Sequence, residues 1–548
     1  MKRFTLLLAF AAIVCACGQT QDGAVFSSFY YAGEDACFAH EVSASEFQNP
    51  VLAGFFPDPS VCRKGDDYFM VNSTFSYFPG VPIQHSKDLV HWEQIGYVLN
   101  RESQLQLDSA HIAWGVYAPD IQYNEANETF YMVNTIVMGI NNFYVKTKDP
   151  FAGNWSDPIL LPELDGIDPS FFFDEDGKAY IVYNGDPLEG NKYDGHRAIK
   201  LYEVDLEKDK VVGECVQLLS AGIKPEEEPQ WIEGPHIYKH DGKYFLMAAE
   251  GGTGTNHSEV ILVADNVKGP YTHVDIENPI LTQRTLPEER TDKVTSTGHA
   301  DLIWTQNGEC WAFFLGCRPY DGDNYNTGRE TFLLPVDWSK GYPVILPDGE
   351  AVPAVCKRPN LPEYQVNDYP KNGNFKWTYD LTQPLDYRWL FLRKPAQYSQ
   401  DKNGLKLEPR EWKIYQEFTN PALLGVRQQH QNFIASTKLS FHPTSVGEIA
   451  GLAAFQNENA NFTIGEEMTE NGLQIVLYDC DAKVGAEAAE ADKDVYLKIT
   501  GQGPKYYFEY RFEDAKDWKM LGVLDGHKLS TKNAGGFTGV VLAMYTAK

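Results

Sequence analysis

Three carboxylates and a histidine stand at matching places in a segment that recurs along this chain. Asp58 precedes Pro59, Asp168 precedes Pro169, Glu233 lies two residues before Pro235, and His299 precedes Ala300. If these segments converge, the set suits cleavage of an acetal. One carboxylate is ionised and takes a proton from water, while another stays protonated and donates to the leaving oxygen. A third negative group beside the donor raises its pKa, because protonation relieves the repulsion. Asp before Pro is also ordinary turn chemistry. Taken singly, each Asp reads equally as a turn residue, and only the shared position sets the group apart. The chain carries no GxSxG, HExxH, GxxxxGK[ST] or GxGxxG opening a βαβ unit, which disfavours a serine hydrolase, a zincin or a nucleotide enzyme.

The elements that must position these residues are visible as repeats. Five segments, starting at Asp58, Ala118, Asp168, Glu233 and His299, each run from a polar start through a short apolar strand, a turn rich in Gly, Asp or Asn, and a second aromatic strand. That is a β-hairpin. Starts 50 to 66 residues apart leave room for four strands each, so residues ~45–350 read as a five-bladed β-propeller. A stacked solenoid is the alternative, but its periods are mostly shorter and more regular. In a propeller the innermost strands surround a channel, and equivalent strand starts converge at its mouth. Asp120 and Asp301 fall in another column, opposite Ser60, Ser170 and His236, and are expected to point elsewhere. Asp120 is read as structural.

Beyond Asp348 the pattern becomes strict alternation, as in Phe433, Ala435, Thr437, Leu439, Phe441 and in Tyr506, Phe508, Tyr510, Phe512. Period-two strands with one apolar face indicate an antiparallel, concanavalin-like β-sandwich. The fold class is therefore all-β. The expected division is an export signal at 1–17, an N-terminal linker at 18–44, the propeller at 45–350, and a connection plus sandwich at 351–548. Pro343 to Pro370 serves as the connection, and the acidic stretch Ala486 to Asp494 reads as a solvated loop or short helix. At the N-terminus, Lys2 and Arg3 precede an apolar run from Phe4 to Val14 and then Cys15-Ala16-Cys17-Gly18. The run is too short to span a bilayer and resembles a bacterial lipoprotein signal with Cys17 as the lipidated residue, ordinary cleavage nearby being the alternative.

Composition bounds the partners. Among 548 residues, 47 Lys and Arg face 76 Asp and Glu, a net charge of −29, which argues against a surface that condenses nucleic acid. Seven widely spaced cysteines after the signal form no disulfide or CxxC framework. The aromatic content, 31 Phe, 31 Tyr and 11 Trp, exceeds what core packing strictly requires, and flat rings also stack on sugar faces.

Six ordered motifs carry a resemblance over nearly the whole chain after the signal. They are Gly54-Phe55-Phe56-Pro57-Asp58-Pro59-Ser60, the stretch Phe75 to Trp92, Gly166-Ile167-Asp168-Pro169-Ser170, Glu233-Gly234-Pro235-His236, Thr297-Gly298-His299-Ala300 and Gly328-Arg329-Glu330-Thr331. Together they resemble glycoside hydrolase family 43, of the β-xylosidase and α-L-arabinofuranosidase type with a C-terminal β-sandwich. The resemblance implies a five-bladed propeller acting with inversion. Asp58 would be the general base, Asp168 the pKa modulator and Glu233 the general acid. Phe75 would wall the sugar site, Arg329 would bond sugar hydroxyls, and a sandwich loop would close one side and give exo-action. Relatives usually carry Trp-Ala-Pro-Asp where this chain has Tyr117-Ala118-Pro119-Asp120, so Trp114 is the expected substitute for that aromatic wall. His299 would face the channel, where some relatives hold a structural calcium or a water and the ring would be a ligand, the alternative being a satisfied buried histidine; no cofactor is required for the chemistry. The expected partners are xylan, arabinoxylan or arabinan fragments, with membrane contact only through a lipid anchor in the periplasm or at the cell surface. A galactofuranosidase, an exo-arabinanase and a non-catalytic glycan binder remain the alternatives.

Overall fold

The computed structural model describes residues 23–108 and 110–548. The expected export signal at 1–17 lies outside the described residues. Within them the chain is nearly all β, with a single four-residue α-helix, Thr531–Ala534.

The five repeats form the five blades. The first is built from Ser60–Lys64, Asp67–Val71, Gly80–Ser86 and Glu93–Leu99, and the third from Ile167–Phe173, Ala179–Gly185, Ala198–Asp205 and Lys210–Ser220, each a meander of neighbouring strands. The second and fourth begin at Asp120–Asn124 and Glu233–His240. The fifth, Thr295–Trp304, Cys310–Cys317 and Glu330–Pro335, has three strands and is completed by the chain ahead of the first blade. There the Asn49 amide exchanges hydrogen bonds with both backbone groups of Leu333, at 2.9 and 3.0 Å, and Leu52 bridges to Thr331. This seam closes the ring. Many of the aromatic residues pack between blades. Tyr131 of the second blade, for example, meets Phe171 and Phe173 of the third, each with ring centroids 5.5 Å apart.

At four of the five strand starts the backbone makes the same left-handed step: Asp58 has φ 50°, Asp168 53°, Gly234 54° and His299 53°. On a regular strand, residues two apart share a face. The left-handed step breaks that alternation, so the Asp58 column turns out toward the channel mouth while Ser60, Asp120, His236 and Asp301 meet deeper on the axis.

The second unit is a two-sheet sandwich, and here the expected boundaries change. Gly23–Gly33, assigned from sequence to a linker, is an interior strand of one sandwich sheet, paired with Asn432–His442 on one side and with Phe375–Asp380 and Gly404–Leu407 on the other. Its Ala24, Phe26, Phe29 and Tyr31 are buried in the common core. The expected connection 343–370 is not merely a tether, since Val355–Lys357 pairs with Glu46–Gln48. The acidic stretch is also corrected in part: Ala482–Ala488 is an exposed edge strand, and its charges discourage pairing with another sheet.

The sandwich and the propeller share a sheet. Tyr77–Phe78, in the loop after Phe75, pairs with Leu390–Leu392 at the edge of the second sandwich sheet. Phe55, Phe75 and Tyr77 are buried against Leu390, Leu392, Leu423 and Tyr545. Each fully buried large side chain contributes about 1.5–3 kcal/mol. Two sandwich arginines fasten the seam. Arg427 donates to the Phe55 carbonyl at 2.8 Å, and buried Arg393 donates to the Ala110 and Thr419 carbonyls and pairs with Glu458.

Candidate active site

A cavity of about 250 Å³ opens at the channel mouth, lined by Asp58, Phe75, Tyr117, Ala118, Ile167, Asp168, Trp231, Glu233, Thr253, His299, Arg329 and Phe537. The three carboxylates singled out in the sequence are together, although up to 175 residues apart in the chain, because equivalent strand starts converge. They are held differently. Asp58 sits on the segment fixed by Arg427, while the Gly54 N–H donates to Glu330 at 2.8 Å and Glu330 pairs with Arg318 at 2.6 Å. Ser73 donates a hydrogen bond to the Asp58 carboxylate, and the Arg329 guanidinium and the His299 ring each stand 3.7 Å from it. Asp168 accepts the Gly234 N–H at 3.1 Å and so anchors the strand start that carries Glu233.

Glu233 is displaced by one residue from the position that Asp58, Asp168 and His299 occupy. Gly234 takes that position, and the absence of its side chain matters: a Cβ there would lie 2.8 Å from the His299 ring. The left-handed φ of 54° also favours glycine. The fourth blade thus yields space to His299 and presents its carboxyl from the preceding residue.

The electrostatics separate donor from base. Burial, followed by repulsion from Asp168, pushes the Glu233 carboxyl up to about 8, against a weaker opposing pull from Arg329. It therefore holds its proton at neutral pH. Burial also raises Asp168. His257, unnoticed in the sequence, lies behind Glu233 with Nε2 3.9 Å from its Oε1. Its Nδ1 donates to the Ser296 carbonyl at 3.0 Å, and burial lowers its pKa to about 3, so the ring is neutral and turns an acceptor nitrogen toward the acid.

The aromatic wall is Phe75, Tyr117 and Phe537. Phe75 packs with Phe537 at 5.9 Å and meets Tyr117 edge-on at 5.8 Å. Phe537 comes from the sandwich. Its loop reaches the pocket because Gly328 and Gly539 lie in contact, where a Cβ on Gly328 would stand 2.7 Å from the Gly539 nitrogen. Arg329 lies over the Phe537 ring at 4.8 Å, and its Nε is buried with no hydrogen-bond partner among the described residues.

One expected site residue, Trp114, is not where the sequence suggested, while His299 stands at the channel mouth as expected. Trp114 is not among the lining residues; it is 36% exposed and packs edge-on against His111 at 4.8 Å. The short strand Gly115–Val116 locks onto Phe75 through reciprocal backbone bonds of 2.9 and 3.0 Å, and this brings Tyr117 to the pocket while leaving Trp114 across the turn. His299 faces Asp58 and is not part of a metal-capable group. Among the described residues the side chains whose donor atoms converge are Asp120, His236 and Asp301. Calcium takes six to eight oxygen ligands. Here two carboxylates and one ring nitrogen are offered, and the carboxylates already accept from Ser60, the Val61 and Phe171 N–H groups, Gln122 and Tyr238.

Phe537, Trp231 and Thr253 were also missed. Trp231 is two residues from Glu233 and was within reach of a sequence argument. Phe537 gave no local signal at all.

Comparisons with known proteins agree with this architecture. Residues 47–343 match the family model described as Glycosyl hydrolases family 43, and residues 378–548 match a beta xylosidase C-terminal concanavalin A-like domain. A xylosidase/arabinosidase of Butyrivibrio fibrisolvens is 36% identical over 526 residues, covering 91% of this chain and 95% of the relative. A non-reducing end alpha-L-arabinofuranosidase of Bacteroides ovatus is 34% identical, covering 91% of each chain. The crystal structure of a GH43_12 protein retrieved from a capybara gut metagenome superposes with a TM-score of 0.88 at 41% identity, covering 96% of this chain and all of that one. The repeats, the convergent carboxylates and these matches place the chain in glycosyl hydrolase family 43, and it is a glycoside hydrolase.

Proposed function

We propose that the protein is an exo-acting, inverting glycosidase that removes terminal xylosyl or arabinofuranosyl residues from xylan, arabinoxylan or arabinan fragments. The observation that carries this reading is the meeting of Asp58, Asp168 and Glu233 in one small cavity with Glu233 kept protonated. The volume of about 250 Å³ falls just below the usual ~300–1,000 Å³ of ligand sites, which suits a single sugar ring at a chain end. Phe537 closes one side and favours end-on binding. The relatives named as xylosidases and arabinofuranosidases support the choice of sugars.

In the proposed reaction Asp58 takes a proton from a water that attacks the anomeric carbon, while Glu233 protonates the departing oxygen from the other side. Ser73, Arg329 and His299 orient Asp58. Asp168 holds the backbone beside Glu233 and keeps the acid's proton in place by repulsion. Arg329, on the pocket wall, offers its guanidinium to a sugar hydroxyl. The chemistry runs on these side chains, without a cofactor.

The test is release of p-nitrophenol from the β-D-xylopyranoside, α-L-arabinofuranoside and β-D-galactofuranoside by the wild type, Glu233→Ala and Asp58→Ala, with proton NMR of the first-formed anomer. Turnover of the first or second substrate with inversion, lost in both variants, supports the reading. Turnover of the galactofuranoside alone moves the specificity, and turnover of none moves the protein toward a glycan binder.

Export as a lipoprotein anchored through Cys17, in the periplasm or at the cell surface, is part of the same proposal and rests on the Lys2 to Gly18 segment. Metabolic labelling with a radioactive fatty acid, abolished by Cys17→Ala, is the expected result; equal labelling of both forms refutes the anchor.

A further inference from the structure

The proposed reaction accounts for the deep end of the pocket but not for its rim. Phe75, Asp58 and Arg329 are 2%, 5% and 6% exposed, whereas Trp231, on the same pocket, is 39% exposed. Trp231 is also strained: its φ of 50° is left-handed, a conformation unfavourable for a bulky side chain. Such strain persists only where surroundings enforce it. Here they do. The Trp231 N–H donates to the Gly195 carbonyl at 3.0 Å, and the preceding Gln230 carbonyl accepts from the Gly251 and Gly252 N–H groups at 2.9 and 3.1 Å. Gln230 Nε2 donates to the Asp194 carbonyl at 2.9 Å, and Tyr193 donates to that of Pro229 at 2.9 Å. The Arg197 guanidinium lies 4.7 Å over the indole and is itself paired with Asp186. One face of the ring is therefore backed by a fixed cation, and the exposed area belongs to the remaining face and edge.

The position relative to the acid gives this ring a use. Glu233 must touch the glycosidic oxygen, and the group leaving on that oxygen departs toward the open rim, because the closed end holds the terminal sugar. Trp231 precedes Glu233 by two residues on the same strand start, and Thr253, from the Gly251–Gly254 turn clipped to Gln230, completes this side of the pocket. Flat indole surfaces pair well with the C–H faces of pyranose rings because both are apolar and extended, and the ring is held rigid before binding.

We propose that Trp231, backed by Arg197 and bordered by Thr253, is the subsite for the leaving-group sugar, the residue next to the one that is cut off. It rests on the glycosidase reading above. The subsite contributes binding that is realised only when the leaving group is itself a sugar, so it selects di- and oligosaccharides over substrates with a small leaving group.

The experiment compares wild type, Trp231→Ala and Trp231→Phe on two substrates: β-1,4-xylobiose, which fills both subsites, and β-D-xylopyranosyl fluoride, whose leaving atom cannot reach Trp231. If the wild type prefers arabinofuranosyl chains, α-1,5-arabinobiose and α-L-arabinofuranosyl fluoride replace them. The expected result is a fall in kcat/KM on the disaccharide of about 10- to 100-fold in Trp231→Ala, a change within about threefold on the fluoride, and substantial recovery in Trp231→Phe. The arabinofuranosyl pair is expected to show the same contrast. Equal losses on both substrates would show that Trp231 only supports the fold or the acid, and an unchanged disaccharide rate would remove the subsite; either overturns the proposal. A wild type inert on every one of these substrates overturns the glycosidase reading itself, and the subsite with it.

Discussion

Two rings of polar residues surround the propeller axis, one at the channel mouth and one deeper, and they behave oppositely. The mouth ring is Asp58, Asp168, Glu233 and His299; the deeper ring is Ser60, Asp120, His236 and Asp301. Both are buried and acidic. In the deeper ring Ser60 Oγ lies 3.0 Å from Asp120 and 2.9 Å from Asp301, Tyr238 donates to Asp301 at 2.7 Å, and the Val61 and Phe171 N–H groups each donate at 2.8 Å. His236 stands between the two carboxylates at 3.8 and 3.7 Å. In the mouth ring Asp58 and Asp168 have Ser73 and the Gly234 N–H respectively, and the charged neighbours stand off at 3.7 Å or beyond. The same residue types thus make a joint where their hydrogen bonds are saturated and a reactive site where they are not. Saturation fixes a charge; leaving lone pairs open lets a carboxylate exchange protons with water and substrate.

That contrast can be broken most sharply by substitution in each ring. Glu233→Gln and Asp58→Asn are expected to lower kcat on a natural disaccharide by about a thousandfold or more while the melting temperature stays within a few degrees. Asp301→Ala is expected to do the reverse, costing about 3–5 kcal/mol in urea unfolding because Tyr238 and Ser60 lose a buried partner, with kcat per folded molecule within about tenfold of wild type. A fully folded Asp301→Ala without activity would dissolve the distinction. The next effect is on pH. With Glu233 pushed up to about 8, the alkaline limb of kcat/KM falls near pH 8, and Asp168→Asn moves that limb to lower pH by removing the repulsion. An unmoved limb in Asp168→Asn would deny Asp168 its role.

The smallest expected effect is on stability. Between the ordinary Glu value of 4.5 and about 8, the folded protein keeps a proton that the unfolded chain has released. Folding stability from this group is therefore complete below the unfolded value and is lost as pH rises through the folded one. Glu233→Gln removes the dependence, so its melting temperature should gain on wild type from pH 5 to pH 8, read by calorimetry. A constant difference across that range contradicts a proton held on Glu233.

Much of the site was legible because repeats share positions. Aligning five strand starts brought Asp58, Asp168, Glu233 and His299 together and put Asp120 and Asp301 elsewhere, and the structure keeps both groupings. Where reading failed, the missing information was non-local. Gly23–Gly33 alternates like any strand, but its partner Asn432–His442 is some 400 residues away, so it passed for a linker. Trp114 looked like a wall residue because Trp is the right type near the right motif; the backbone bonds of Gly115–Val116 to Phe75 chose Tyr117 instead. Phe537 sits among small residues in a sandwich turn, with nothing nearby to mark it.

By itself the sequence determined the blades, the alternating sheets and which carboxylates stand at equivalent strand starts, since strand periodicity and turn chemistry are written in neighbouring residues. Only the tertiary structure decided which acidic ring is saturated, which aromatics wall the pocket, and that a sandwich loop closes it. Those outcomes depend on partners brought from other blades and from the second domain, and on a left-handed backbone step at four of the five strand starts, because the distance between side chains in space, not along the chain, sets burial, hydrogen bonding and charge.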